Sequence, residues 1–382
     1  MAAEHHPIDL LFIPWSYSKG GGAEQVLSHL INGLHRTGRF RISLLEVSHE
    51  DVAWPPLPDD VAVLPPVLDE TRSDPLYRVR RHRRRRLLDS QPEKVRDEVR
   101  DGHRFDLVVA FNYLYPTFLA YDDEPLISWN HGTINDLEDR PEACEMQRKA
   151  YDRAAAIVAI AERTRQSIAD LYPECAPKLR VIHNGFPFEE IRSKAAQAPS
   201  LTLSHPAVLA VGRLDENKNP LGIVRGFAGI NEMEPEAQLY FIGQGALEQR
   251  ARQLVDELGI ADCVHFLGYH CNPYPLIKQA DCLLSLSRVE GFQTVIVEAL
   301  SLGVPFVSSD AGAARELSGQ GRFGAVVSAS DQVPSAYRRV AEAAADPRWR
   351  QETARFVEQF SVENQVEAFC RLADEVLGER SA

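Results

Sequence analysis

Two carboxylates, Glu290 and Glu298, punctuate the most informative stretch of the chain, Ser287-Arg288-Val289-Glu290-Gly291-Phe292-Gln293-Thr294-Val295-Ile296-Val297-Glu298-Ala299. Glu290 follows an apolar run that reads as a strand. Gly291, Phe292 and Gln293 then offer backbone N–H groups where a helix begins, and Glu298 falls about one turn inside that helix among apolar neighbours. A carboxylate on an apolar face is costly without a partner. A vicinal diol, which can donate two hydrogen bonds to one carboxylate, is one natural partner; an internal Arg or Lys is the other. Glu290 also has two readings, a ligand for a polyol or a capping acid that complements the helix dipole.

Cations appear at a second strand-to-helix loop, Gly212-Arg213-Leu214-Asp215-Glu216-Asn217-Lys218-Asn219-Pro220. A guanidinium fork and an ammonium point charge together suit a pyrophosphate; alone, such charges are commonly just solvated. Gly20, Gly21 and Gly22 open the first helix after the first strand, where a phosphate can approach the backbone and the helix N-terminus. They do not form a dinucleotide fingerprint, because the third glycine position is Gln25, and a tight turn is the alternative account of them. Glu46, at the end of the second strand, keeps an oxidoreductase reading open. No Walker A sequence occurs. His131, in Trp129-Asn130-His131-Gly132-Thr133, follows a strand and has no metal-ligand neighbours in sequence. The run Arg78-Val79-Arg80-Arg81-His82-Arg83-Arg84-Arg85-Arg86 reads either as a patch for a membrane surface or lipid phosphate, carried by Arg80, Arg81, Arg83, Arg84, Arg85 and Arg86, or as a solvated helix face paired with Asp89, Glu93, Asp97 and Glu98.

The elements that must hold these residues alternate. Apolar runs at 8–15, 41–47, 106–111, 125–129 and 155–160 predict strands, and 23–34 a helix with apolar residues at helical spacing. The alternation restarts with strands at 207–214, 239–242, 264–267, 282–286 and 305–308 and helices at 220–230, 246–258 and 294–302. This predicts an α/β chain of two Rossmann-like, doubly wound parallel-sheet domains, with a polar, proline-bearing linker at 192–205. Open parallel sheets bind ligands beyond the carboxyl ends of their strands, which is where the residues above fall.

Totals narrow the partners. A chain of 382 residues implies two domains. A net charge of −13 argues against nucleic acid as a partner. The six cysteines form no CxxC pair, so neither a zinc knuckle nor a redox dithiol is suggested. The N-terminus lacks the basic region of a signal peptide, and the most apolar long stretch, 107–121, falls short of the ~20 residues a membrane helix needs. The expected location is cytoplasmic.

The chain resembles the family-4 glycosyltransferases of the GT-B fold over essentially its whole length. The resemblance is carried by Gly21-Gly22-Ala23-Glu24, His183-Asn184-Gly185, Gly212-Arg213 with Lys218, Gly243-Gln244-Gly245, Phe266-Leu267-Gly268 and the Glu-x7-Glu pair. It implies an N-terminal acceptor domain at 1–190, with a last helix at 361–382 packing back on it, and a C-terminal donor domain at 191–360, facing a cleft. It implies that Arg213 and Lys218 hold the donor diphosphate, that Glu298 takes the ribose and Glu290 the sugar hydroxyls, and that amides near Gly291 and Phe292 position the sugar. Backbone near Leu267 and Tyr269 would meet the base, Gly21 and Gly22 would approach the phosphates, and His131 would lie beside the transferred sugar. The implied reaction retains anomeric configuration, needs no metal or other cofactor, and moves a sugar, by default from a uridine diphosphate donor, to a sugar or lipid-linked acceptor. An anionic membrane surface is a further expected partner on the strength of the arginine run alone. Asp310-Ala311-Gly312-Ala313-Ala314-Arg315-Glu316 departs from the Gly-Pro-Arg-Glu often seen in close relatives. The competing readings are a nucleotide-sugar epimerase or phosphorylase of the same fold and a non-catalytic sugar-nucleotide-binding protein.

Overall fold

A computed structural model describes residues 6–134, 137 and 139–378. Short apolar runs without polar alternation become strands buried on both faces, as a helix-covered parallel sheet requires. They divide between two units, residues 1–185 with 362–382 and residues 186–361.

In the first unit the strands are β1 (Ile8–Ile13), β2 (Phe40–Leu44), β3 (Ser48–His49), β4 (Ala62–Val63), β5 (Leu68–Asp69), β6 (Leu107–Ala110), β7 (Leu126–Asn130), β8 (Ala156–Ala159) and β9 (Leu179–Val181). Seven make one parallel sheet in the order β4-β2-β1-β6-β7-β8-β9, while β3 and β5 pair beside it. The order steps outward in both directions from β1, so its switch point lies between β1 and β6. The helices are α1 (Gly22–Arg36), α2 (Pro75–Ser90), α3 (Pro92–Arg100), α4 (Pro141–Arg153) and α5 (Glu162–Leu171). Helix α1 buries Val26, Leu27, Leu30, Ile31 and Leu34, the stripe its sequence spacing requires.

The C-terminal helix Val362–Leu377 belongs to this unit. Its Phe369 ring lies 6.0 Å from that of Phe12, 5.8 Å from Phe40 and 6.2 Å from Trp129. Ion pairs from Arg39 to Asp374 and from Arg180 to Glu375 flank that contact. Residues 379–382 of the expected last helix lie outside the described residues.

The second unit holds β10 (Ala207–Val211), β11 (Gln238–Ile242), β12 (Val264–Phe266), β13 (Cys282–Ser285), β14 (Phe306–Ser309) and β15 (Gly324–Val327), parallel in the order β12-β11-β10-β13-β14-β15. Its switch point lies between β10 and β13. The helices are α6 (Phe188–Ala195), α7 (Pro220–Met233), α8 (Glu248–Glu257), α9 (Tyr274–Ile277), α10 (Thr294–Ser301), α11 (Ala314–Leu317), α12 (Val333–Ala344) and α13 (Trp349–Val357). A core of its own, including Val208, Phe227, Leu239, Phe241, Leu284 and Val340, fills the space between sheet and helices.

One glycine decides how the strand-end loops meet. At Gly243, φ is +138° and a Cβ would lie 2.0 Å from the Gly212 carbonyl oxygen. The loops after β10 and β11 therefore touch backbone to backbone, fixed by hydrogen bonds from Gly212 N to Ile242 O at 2.9 Å and from Leu214 N to Gln244 O at 3.0 Å. The Gly243-Gln244-Gly245 motif thus has a packing reason.

Candidate active site

Ligands of doubly wound sheets sit outside the carboxyl ends of the strands at the switch point. In the second unit those loops are 212–219, after β10, and 286–293, after β13. They carry Arg213, Lys218 and Glu290, and they are tied together. Asn219, the N-cap of α7, accepts from Gly222 N at 3.1 Å and donates to Leu286 O at 3.0 Å; Arg288 N donates to Asn217 O at 2.7 Å. Lys218 Nζ donates to Glu290 Oε1 at 2.5 Å. Arg213 has its side chain 78% exposed, with Asp215 3.3 Å away. A cavity at these strand ends is lined by Gly212, Arg213, Lys218, Ser285 and Ser287. The structure thus brings the two cations and one acid of the sequence pattern to one place, where a fork, a point charge and a carboxylate can meet a phosphate bearing a polyol.

Glu298 lies on α10. Among the described residues neither Arg nor Lys pairs with it; the Tyr274 hydroxyl of α9 donates to its Oε1 at 3.4 Å. Burial pushes its carboxyl up to about 7, with the tyrosine hydrogen bond acting the other way. Gly291 precedes α10 and Phe292 is buried, its ring 6.1 Å from Phe186 and 5.8 Å from Phe360. The Phe292 side chain is therefore a packing group, and only its backbone can face a ligand. The departing segment 310–316 still supports this loop. A Cβ on Gly312 would lie 2.8 Å from the Gly291 carbonyl oxygen, and Gln293 Nε2 donates to Ala311 O at 2.6 Å. Leu267 N donates to Phe241 O at 2.9 Å, continuing the sheet beyond β12, and the Tyr269 ring beyond it is 74% exposed.

In the first unit Gly21 is the N-cap of α1, and a Cβ on Gly22 would meet open space. The loop before them is held by Glu46, the residue that kept a ribose-binding role open in the sequence. Glu46 is buried, and its Oε2 accepts from Tyr17 N at 2.9 Å, Ser18 N at 3.0 Å and Ser18 Oγ at 3.0 Å, while His49 contacts its Oε1. Those lone pairs are committed to the loop, which corrects the oxidoreductase alternative. His131 follows β7, its ring 4.2 Å from that of Phe111. Burial lowers its pKa to about 3, so the imidazole is neutral near pH 7. Its Nε2 is buried and has no hydrogen-bond partner among the described residues. Among the described residues no three His, Cys, Asp or Glu side chains cluster to hold a metal.

Residues 192–360 match the model of Glycosyl transferases group 1, and residues 20–190 match that of Glycosyltransferase Family 4. The chain is a member of the family-4 glycosyltransferases. The Anabaena protein HepE, solved with UDP, is 18% identical and covers 96% of this glycosyltransferase and 100% of its own chain, with a TM-score of 0.72; the two-sheet architecture is that of the GT-B fold. An uncharacterized glycosyltransferase of Methanocaldococcus jannaschii is 25% identical over 42% of this chain and 41% of its own length. The N-acetylgalactosamine-N,N'-diacetylbacillosaminyl-diphospho-undecaprenol 4-alpha-N-acetylgalactosaminyltransferase of Campylobacter jejuni is 27% identical over 48% of this chain and 49% of its own. The glycosyltransferase spans about half the length of these curated relatives or less.

The arginine run of this glycosyltransferase lies on α2, and the structure divides it. Arg84 is buried: Nη1 donates to Val67 O at 2.9 Å and Nη2 to Glu98 Oε1 at 2.9 Å. Arg81 pairs with Glu70 at 3.2 Å and donates to Asp69 O at 3.1 Å, and Arg85 pairs with Glu70 at 2.6 Å. Arg81, Arg84 and Arg85 hold α2 to the chain around β5 and to α3, which corrects the expectation that the six arginines from 80 to 86 form one patch. Arg78, Arg80, Arg83 and Arg86 are exposed, with no ion pair among the described residues.

Sequence reasoning missed Tyr274, which sits in a four-residue helix without periodicity, and Glu46 as an anchor. It missed Asn219 as well, although an Asn before Pro220 at a helix start carried a legible capping signal.

Proposed function

We propose that this glycosyltransferase moves a sugar from a nucleoside diphosphate donor to a hydroxyl of a lipid-linked or cell-surface glycan, with retention of anomeric configuration. The carrying observation is the convergence of Arg213, Lys218 and Glu290 on the switch point of the second unit. Arg213 and Lys218 would bind the diphosphate and stabilise the charge that develops as it leaves, the task a metal ion performs elsewhere. Glu290 would hold the sugar hydroxyls, and Glu298 the ribose. His131 would hydrogen-bond the transferred sugar as a neutral imidazole. Uridine is the proposed base because the structurally similar HepE was solved with UDP; a lipid-linked acceptor is supported by the diphospho-undecaprenol in the name of the Campylobacter relative. No helix among the described residues is long and apolar enough to cross a membrane. The reading includes peripheral association with a cytoplasmic anionic leaflet through the free arginines of α2.

The test is a panel of nucleotide sugars screened for binding and then for transfer to lipid-linked acceptors, with and without EDTA. Transfer that persists in EDTA is the expected result. Conversion of donor without acceptor would establish an epimerase instead, and activity restored only by Mg²⁺ or Mn²⁺ would refute metal independence.

Glu298 adds a pH prediction. Its folded pKa, about 7, lies above the ordinary carboxylate value of 4.5, so the folded state holds the extra proton between those values. Its contribution to stability therefore falls as pH rises from 4.5 to about 7. A diol needs the ionised form, so UDP affinity in this reading rises with pH through the same region and binding near pH 6 releases a proton. With a pKa near 7, affinity at pH 6 should be roughly tenfold below that at pH 8, and Glu298→Gln should flatten this dependence. Calorimetric titrations in two buffers of different ionisation enthalpy measure both effects. An affinity unchanged from pH 6 to 8 in the parent protein would remove Glu298 from the ribose site.

A further inference from the structure

Helix α2 has no acidic residue from Pro75 to Leu88, and its cations left over from structural pairing have a definite arrangement. Arg83 and Arg86 stand three positions apart, on one helical face, and line an open groove of about 620 Å³ together with Val79, His82, Ser90 and Asp89. The Asp89 carboxylate accepts from the Tyr115 hydroxyl. The Tyr115 ring lies 5.8 Å from the ring of Trp15, which is 40% exposed. Trp15 comes two residues after β1, and its N–H donates at 2.8 Å to Asn112, two residues after β6. The chain of contacts Asp89–Tyr115–Trp15 therefore leads from the groove to the switch point of the first unit. At the other end of the same helical face stand Val79 and Leu76, 71% and 85% exposed.

We propose that this groove is the phosphate subsite of a lipid-linked acceptor: Arg83 and Arg86 bind the phosphate or diphosphate that joins sugar to lipid, and Trp15 presents its indole to the acceptor sugar. The proposal rests on the glycosyltransferase reading above and extends it to the acceptor. Guanidinium forks match phosphate oxygens bidentately, and these two give up no protein carboxylate to do so. His82 and the Ser90 hydroxyl add hydrogen-bonding capacity. Asp89 is the one carboxylate in the lining, and the tyrosine hydroxyl is directed at it. Leu76 and Val79 are what select a lipid phosphate over a free one, because exposed apolar side chains on the same face give the first carbons of the lipid a surface to cover. An indole is a flat apolar surface suited to the C–H face of a sugar ring, and its position after β1 places that sugar at the switch point.

The experiment measures binding of farnesyl diphosphate, inorganic pyrophosphate and farnesol to the full chain by calorimetry, with UDP binding followed in parallel. Farnesyl diphosphate should bind at least tenfold more tightly than pyrophosphate, and farnesol should not bind measurably. R83Q/R86Q should weaken farnesyl diphosphate at least tenfold and leave UDP affinity within twofold. R36Q/K149Q, which removes two exposed charges elsewhere on the unit, should leave both ligands within twofold. W15A should leave farnesyl diphosphate binding unchanged while raising KM for a saccharide-bearing acceptor at least fivefold. Equal losses in R83Q/R86Q and R36Q/K149Q would reduce the effect to diffuse charge and overturn the site. Pyrophosphate binding as tightly as farnesyl diphosphate would overturn the lipid assignment, and a wild-type chain that ignores both would overturn the groove altogether. Farnesyl diphosphate binding by a chain that turns over no nucleotide sugar would instead sink the transferase reading and, with it, the groove's role as an acceptor site.

Discussion

Lys218→Ala should lower kcat by about two to three orders of magnitude, the scale on which removal of one preorganised charge-stabilising donor is felt, with Arg213→Ala close behind it. The two losses have different side effects. Arg213 is largely exposed and, among the described residues, pairs only with Asp215 at 3.3 Å, a pair of the kind that contributes little to folding, so Arg213→Ala should melt like the parent. Lys218 is 2.5 Å from a Glu290 carboxylate whose side chain is only 14% exposed. Removing the ammonium leaves that acid without its partner, and Lys218→Ala should be mildly destabilised as well as slow. Adding Glu290→Gln should recover the melting temperature and none of the turnover. Turnover near that of the parent in either cation variant, with the fold checked by circular dichroism, would take the diphosphate out of this loop.

The largest effect on stability is expected far from that loop. Arg100, at the end of α3, and Glu124 are both buried and joined bidentately, Nη1 to Oε2 at 2.6 Å and Nη2 to Oε1 at 2.5 Å. Arg100 also donates to Leu119 O at 3.0 Å and His103 O at 2.7 Å, and Glu124 accepts from Tyr121 N at 2.7 Å and Phe105 N at 2.9 Å. Deleting one member of a buried pair costs about 3–5 kcal/mol because the other is stranded. At about 2–4 °C per kcal/mol for a unit of this size, Arg100→Met should lower the melting temperature by roughly 6–20 °C. The double variant Arg100→Met/Glu124→Gln should regain part of that loss, since a neutral amide is less costly to leave underpaired than a carboxylate. A single variant within ~2 °C of the parent would show the pair to be worth no more than a surface salt bridge.

How far such features can be read from sequence depends on how local their causes are. The central strands were legible because Leu10–Ile13, Leu107–Ala110 and Leu283–Leu284 are buried by their own composition. The edge elements were not: β3, β4 and β5 are two residues each, and Ala62 and Val63 are exposed, so neither burial nor periodicity marks them. Glu290 and Lys218 could be placed at strand ends, but their contact is set by the order of β10 and β13 in the sheet, which spacing along the chain does not encode. The arginine run shows the same limit. Seven arginines fall within nine positions, and their division into paired and free depends on Glu70, Glu98 and the Val67 carbonyl, all outside the helix. Glu46 was placed correctly at its strand end and given the wrong partner, because three of its hydrogen bonds come from residues 17 and 18, which a sequence reads only as loop.

The second unit enters and leaves the first at neighbouring points. Phe186 pairs with Ser361 in a β-bridge and its N–H donates to Phe360 O at 2.8 Å, while a Cβ on Gly185 would lie 2.9 Å from the Val362 Cα. Residues 186–361 are thus an insertion whose two ends already touch. Such a segment is suited to excision as one continuous fragment, and its host to repair by a few residues joining Gly185 to Val362, because closing so short a gap requires almost no loop entropy. The same adjacency makes new termini opened elsewhere in the second unit, with the old junction sealed, a natural route to permuted forms in which each unit can be labelled, titrated or mutated apart from the other.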